Sequence, residues 1–322
     1  MKPYLSVVIP VYKSESTIRR LVEQLQVWLA QLAFEVVLVN DGSPDNSEAV
    51  CRRLAGEFAN VQFASLRRNF GEFNAVLCGL TLARGDFAVI IDDDFQNPPE
   101  AILTLLATAE TTGADVVYSR YAEKKHALYR NLGSQFLNYC TTWLLSKPKD
   151  LYLSSFKLIR REVIDEIVKY QGPYPYIDGL IFRVTRSVTS VVVPHHAREE
   201  GQSNYTWRKL ISLTLNVFFG YSALPLRLLL GLGTVVFGIS LGLGLLLIIG
   251  GLTGWLAIQT WLVVIWVVLF LAGCQLMVLG ILGEYLGKLF LAHSGQPPFV
   301  IKYHLNGSGN EPCQNKGKVD RT

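Results

Sequence analysis

Between Leu228 and Gly283 the chain carries no Asp, Glu, Lys, Arg or His. A helix needs roughly 20 apolar residues, at about 1.5 Å each, to cover the hydrocarbon of a bilayer. This run has room for two crossings and a short turn. It predicts one membrane helix over 226–252, an uncharged extracytoplasmic loop at 253–260 and a second helix over 261–283. Trp255 and Trp261 fall where interfacial aromatics are expected. Only 17% of the residues are charged, against roughly 25% in soluble domains, and the shortage is confined to this stretch. The run argues against a purely soluble protein. The polar first two thirds argue against a transporter made only of helices.

Charge places the flanks. Residues 1–197 hold 21 Lys+Arg and 21 Asp+Glu, so the net +4 of the chain comes entirely from 198–227 and 284–322. Basic flanks mark the cytoplasmic side of a membrane, and two crossings put both flanks on one side. The expected layout is a cytoplasmic domain over 1–204, an amphipathic interfacial helix over 205–225, the two spans, and a cytoplasmic tail over 284–322. The interfacial helix is read from Trp207, Leu210, Ile211, Leu213, Leu215, Val217 and Phe218 beside Arg208 and Lys209. A modest +4 calls for no nucleic-acid partner. Met1–Pro10 runs straight into an apolar strand, which reads as a chain without a signal peptide. The five cysteines are scattered, with no CxxC pair, and read as unpaired thiols.

The first domain alternates strand and helix. Leu5–Val11, Phe34–Asn40, Val61–Leu66, Phe87–Ile91, Asp115–Ser119 and Ser187–Pro194 are short β-branched runs closed by turn residues. Between them, Ile18, Leu21, Val22, Leu25 and Leu29 repeat at helical spacing, with Ser14 or Ser16 as a cap. A second helix is expected from Glu72 to Ala83, and a third is opened by Asn97-Pro-Pro-Glu100. Such alternation predicts an α/β fold with a doubly wound, mostly parallel sheet. Ligands of such sheets bind at the carboxyl ends of the strands, where Asp41, Arg67-Arg68-Asn69, Asp92-Asp93-Asp94 and Arg120 fall.

No GxGxxG follows the first strand, which argues against a dinucleotide fold, and no GxxxxGK[ST] exists, so this is not a P-loop enzyme. Asp92 and Asp94, at i and i+2 on an extended segment, point the same way. Hard oxygen ligands so arranged suit Mg²⁺ or Mn²⁺ bridging a diphosphate. His195-His196 is not read as a metal site, because neighbours on a strand point to opposite faces.

Val7-Val-Ile-Pro-Val-Tyr12, Val39-Asn-Asp-Gly-Ser43, Arg68-Asn-Phe-Gly71, Gly85-Asp86 and Asp92-Asp-Asp-Phe-Gln-Asn-Pro-Pro99 resemble the family 2 glycosyltransferases. More narrowly, they resemble the bacterial polyprenyl-phosphate glycosyltransferases and the related dolichyl-phosphate mannose synthases. His195-His-Ala-Arg198, Gly201-Gln-Ser203-Asn-Tyr205 and the two expected spans extend the likeness to about Phe290. The resemblance implies a GT-A-like domain that binds a nucleotide-sugar through Pro10, Tyr12, Asp41, Arg68, Asp92, Asp93 and Arg198. It implies Asp92, Asp94 and Gln96 as metal ligands, and Arg120, Arg130 and Ser134 as the cradle of the acceptor phosphate. Arginine's fixed, always-charged fork suits phosphate oxygens.

Two departures stand out. Many relatives carry Gly-Asp-Phe-Arg-Leu, with its Asp proposed as the base, where this chain has Ser154-Ser155-Phe156-Lys157-Leu158. Asn204 stands where many relatives have Lys. A phosphate monoester, with a second pKa near ~6, needs little help to lose its proton. Asp150 or Asp178 could otherwise stand in as the base. The reading is a metal-dependent, inverting transfer of a sugar, UDP-linked, to undecaprenyl phosphate, with Asp94, Arg120, Arg130 and Asp150 as catalytic candidates. The expected setting is the bacterial inner membrane. A homo-oligomer, with a tetramer among its forms, is implied by the resemblance alone. A non-catalytic nucleotide-sugar sensor or flippase partner is the alternative that Ser155 and Asn204 favour. A processive synthase is disfavoured by the small number of spans and the missing Gln-x-x-Arg-Trp motif.

Overall fold

The computed structural model describes residues 2–121, 153–172, 175–194, 249, 253, 260–293 and 297–307. The chain divides into two units, one of residues 1–206 with 296–322 and one of residues 207–295.

In the first unit, β1 (Leu5–Val11), β2 (Phe34–Asn40) and β3 (Val61–Leu66) take the expected bounds. β4 (Phe87–Ile90) ends one residue early, and β5 (Val116–Tyr121) runs two further than expected. They alternate with α1 (Ile18–Trp28), α2 (Ser47–Glu57), α3 (Glu72–Leu82) and α4 (Ala101–Thr112). β6 (Lys157–Arg160), α5 (Arg161–Ile167), α6 (Ile177–Val184) and β7 (Val188–Val193) follow. The sheet order is β7-β5-β6-β4-β1-β2-β3, extended at one edge by β8 (Ile301–Leu305). Neighbours are parallel except at β6 and β8, which run against theirs. The doubly wound, mostly parallel expectation stands, with two antiparallel insertions that it did not contain.

The helices bury the apolar positions read from their spacing. Ile18, Leu21, Val22, Leu25 and Leu29 are fully buried against β1 and β2 residues such as Val7, Ile9, Val36 and Leu38. On the other face Gly79 of α3 lies so close to β1 that a Cβ there would sit 2.4 Å from Val8 Cγ1. The expected Ser14 or Ser16 cap of α1 is corrected: Thr17 is the cap residue and makes no side-chain cap bond. Ser14 instead accepts through its carbonyl from Thr17 and Ile18, while its hydroxyl turns to Asp93. Cys51, Cys78 and Cys274 are free thiols, and burial pushes Cys51 and Cys78 well up.

Of the second unit, α7 (Thr260–His293) is described, 34 residues that include the whole of the expected second span and continue through Glu284 and Lys288. Trp261, Val264, Val268, Leu279, Leu286, Leu289 and Phe290 are exposed along it. Counted over described residues alone, no helix is long and apolar enough to cross a membrane. Many side chains of α7 fall outside that count. So do the interfacial helix and all of the first span except Ile249.

Candidate active site

The chemistry-bearing residues gather where the parallel strands end. At the end of β2, Asn40 is fully buried, donates to Ser65 Oγ at 3.2 Å and accepts from the Ser43 N–H at 3.2 Å. Asp41, 3% exposed, accepts from the backbone N–H of Phe70 at 2.7 Å and of Gly71 at 2.9 Å. It thereby ties the loop after β3 to the end of β2. Burial pushes its carboxyl pKa upward, against the pull of those two amide bonds. Gly42 makes the approach feasible: its φ is +62°, and a Cβ there would lie 2.6 Å from the backbone of Arg68 and Asn69. Arg67 and Arg68 stay exposed, the Arg68 guanidinium 4.6 Å above the Phe70 ring. Pro10 lies in β1 opposite Val39, and Tyr12 is exposed just beyond.

At the end of β4 the chain turns through Asp92–Asn97. Asp92 Oδ2 accepts from Ser155 Oγ at 2.7 Å, and Asp94 Oδ1 accepts from the Gln96 N–H at 3.1 Å. The extended segment expected through Asp94 is corrected: the chain is turning by Asp93, whose carboxyl meets the Ser14 hydroxyl. Asp93 Oδ2 is buried with no hydrogen-bond partner. Burial pushes the Asp93 carboxyl up to about 7, with Ser14's bond opposing and the charges of Asp92 and Asp94 adding to the rise. Phe95, 5% exposed, holds φ at +57°, a left-handed backbone that a bulky residue rarely adopts, with the Arg20 guanidinium 4.2 Å from its ring. Strain of about 1–3 kcal/mol of this kind persists where surrounding structure enforces it, and it clusters at ligand sites.

The antiparallel course of β6 explains why Ser155 is there. Ile90 pairs with Lys157, so the same register puts Asp92 opposite Ser155. On the other side Val117 pairs with Leu158, which brings Tyr121 opposite Ser154. Ser154 accepts from Ser119 Oγ at 2.8 Å and lies 3.3 Å from Tyr121 Oη, which donates to Asn97 Oδ1 at 2.8 Å. Sequence reading missed this hydroxyl network. The signal was the β6 register, which no apolar pattern announced.

One candidate base is corrected. Asp178 is 6% exposed and is consumed by the buried Lys157 ammonium and by Tyr118 Oη at 3.0 Å. A carboxylate held by a buried cation and a phenol is a structural anchor between α6, β6 and β5. Arg120 is exposed near the end of β5. Arg130, Ser134, Asp150 and Arg198 lie outside the described residues.

Among the described residues no three His, Cys, Asp or Glu side chains are grouped to hold a metal by themselves. A Mg²⁺-type ion is commonly held by one or two carboxylates plus substrate phosphates and not by an all-protein cage. Asp92 and Asp94 are the carboxylates that this turn would offer to such an ion.

The profile described as "Glycosyl transferase family 2" matches residues 6–168. Among curated proteins, an undecaprenyl-phosphate 4-deoxy-4-formamido-L-arabinose transferase of Proteus mirabilis is 33% identical over 303 residues, 92% of this chain and 93% of that protein. The protein of the same name from Pseudomonas aeruginosa is 32% identical, over 94% of this chain and 91% of its own. Among solved structures, glucosyl-3-phosphoglycerate synthase of Mycobacterium tuberculosis with Mn²⁺, UDP and phosphoglyceric acid shares the fold. It has a TM-score of 0.51 and 19% identity, over 67% of this chain and 76% of that one. With the strand-end acids, the register that faces them and a profile spanning both in agreement, the chain belongs to glycosyl transferase family 2.

Proposed function

We propose that this chain transfers a sugar from a UDP-linked donor to undecaprenyl phosphate with inversion at the anomeric carbon, anchored in a bacterial inner membrane. The observation that carries the reading is the Asp92–Asn97 turn at the end of β4, where the Asp92 carboxylate is held by a neutral hydroxyl and the Asp94 carboxylate by the Gln96 amide. Relatives aligned along nearly the whole chain carry the acceptor in their names, and the M. tuberculosis fold neighbour was crystallised with Mn²⁺ and UDP.

In this reading Asp92, Asp94 and Gln96 hold Mg²⁺ or Mn²⁺, which neutralises charge on the departing diphosphate. The Asp41-pinned loop with Arg68, together with Pro10, Tyr12, Asp93 and Arg198, receives the nucleotide and its diphosphate. Arg120, Arg130 and Ser134 orient the acceptor phosphate against the anomeric carbon. The acceptor oxygen is already largely ionised at neutral pH, so the attack needs no strong base, and Asp150 is a minor candidate for that role.

The spans belong to the same proposal. β8 pairs with β3, so residues on either side of 207–295 share one sheet and hence one compartment. Whatever crosses a membrane between them crosses an even number of times, which supports the two-span hairpin. Detergent-purified protein incubated with undecaprenyl phosphate, Mn²⁺ or Mg²⁺ and a panel of nucleotide-sugars, a UDP-linked 4-deoxy-4-formamido-L-arabinose included, tests the reading. Mass spectrometry should find a lipid-phosphate-linked monosaccharide with one donor. No lipid product with any donor would refute it.

A further inference from the structure

We propose that Ser154 and Ser155 form a neutral clamp on the acid turn, and that Ser155 is a positioning residue for Asp92, not a proton acceptor. The inference rests on the donor reading above and concerns how this chain shapes that site.

The register supplies the geometry. β6 lies between β4 and β5 and runs against both, so its first residues meet the acid turn on one side and the end of β5 on the other. Ser155 Oγ donates to Asp92 Oδ2 at 2.7 Å. Ser154, 4% exposed, sits in a hydroxyl network that runs through Tyr121 to the buried side chain of Asn97. Two adjacent residues therefore hold both ends of the turn, Asp92 at its start and Asn97 at its finish. The turn between them contains Phe95 with its left-handed backbone, a conformation that must be enforced from outside.

Polarity decides the role. A neutral hydroxyl is too weak a base to take a proton at neutral pH, and its one O–H is given to Asp92 Oδ2. Charge points the same way. The turn already concentrates Asp92, Asp93 and Asp94, with one Asp93 oxygen buried and unpartnered. A carboxylate opposite Asp92 would have no proton to donate and would repel Asp92 at hydrogen-bond distance. A hydroxyl instead donates to Asp92 Oδ2 and fixes it without that repulsion. Charge-assisted bonds of this kind are the stronger class of hydrogen bond, so their loss should be measurable as affinity.

The test is calorimetric titration of UDP into the detergent-purified full chain, once with Mn²⁺ and once with EDTA. Wild type should bind UDP more tightly with Mn²⁺. Ser155→Ala should lose about tenfold of the Mn²⁺-dependent affinity, keep its EDTA affinity, and keep the shape of its pH–turnover profile. Ser155→Thr, which retains the hydroxyl, should restore binding to within about threefold. Ser154→Ala should weaken Mn²⁺-dependent binding by a smaller factor. The clamp is overturned if Ser155→Ala binds UDP with Mn²⁺ as wild type does. It is equally overturned if affinity falls alike with Mn²⁺ and EDTA, which marks a merely structural loss, or if high pH rescues the turnover of Ser155→Ala, which marks a missing base. A wild type whose UDP binding ignores Mn²⁺ overturns the metal-dependent donor reading itself, and the clamp with it.

Discussion

The two ends of the sheet each bury carboxylates, and they treat them in opposite ways. At the amino ends, Glu35 is 2% exposed and has its oxygens filled: Oε1 accepts from Ser6 Oγ and the Arg84 N–H, and Oε2 accepts from Gln62 and the Arg84 guanidinium. Gln62 passes the network on to His304 of β8 at 2.9 Å. At the carboxyl ends, three consecutive acids crowd one turn, one oxygen of Asp93 has no partner, and Phe95 is held in a left-handed backbone. A buried charge with every lone pair answered is mortar. Crowded like charges in a strained turn cost stability and persist where a cation and a phosphate group complete them.

That contrast can be broken from either side. Asp94→Ala should lower transfer to lipid by about 10²–10³-fold, the scale of losing one electrostatic stabiliser, while the melting temperature holds or rises. Arg130→Ala, on the acceptor side, should raise the apparent KM for undecaprenyl phosphate, and an unchanged value would remove it from the phosphate cradle. Glu35→Ala should do the reverse of Asp94→Ala. It strands the donors of Ser6, Gln62 and Arg84, at roughly 3 kcal/mol of folding stability by denaturant titration, with UDP affinity of the folded fraction unchanged. Asp41→Asn falls between the two, because its carboxylate secures the Phe70 and Gly71 amides. A roughly tenfold weaker UDP affinity is expected, with a small drop in melting temperature.

The smallest effect concerns pH. Burial, and then the nearby Arg84 charge, hold the His304 imidazole below its usual pKa. A depressed folded pKa means the neutral form is favoured on folding, so the associated stability is present above about pH 6.5 and is lost as pH falls through the folded value. Between pH 7 and pH 5 wild type should lose more melting temperature than His304→Gln does. Equal losses would remove His304 from the account.

What could be read from the chain follows the same divide. β1, β2 and β3 were legible to the residue because each is a continuous apolar, β-branched run ended by turn chemistry. Asp41 and Asp92–Asp94 were legible because a parallel sheet delivers such residues to one edge. β6 was not. Its Lys157-Leu-Ile-Arg160 carries a lysine that is buried only because Asp178 pairs with it, and no local pattern foretells a partner 21 residues away. β8 was hidden too. Ile301-Lys-Tyr-His-Leu305 alternates as a half-buried edge strand does, but it follows a long apolar helix and reads as a tail. Its place depends on Arg67 donating to the Val300 carbonyl and on Lys302 and Tyr303 meeting Glu48. Those contacts span more than 200 positions of sequence. The Ser155–Asp92 bond depends on β6, so it was lost with β6.

The measurement that bears most directly on this account is lipid-linked sugar formation by wild type and by Asp94→Ala, each assayed with Mn²⁺ and after chelation with EDTA. The account predicts product from metal-supplied wild type alone, with the other three samples near background. Undiminished product from Asp94→Ala, or from wild type in EDTA, would contradict it.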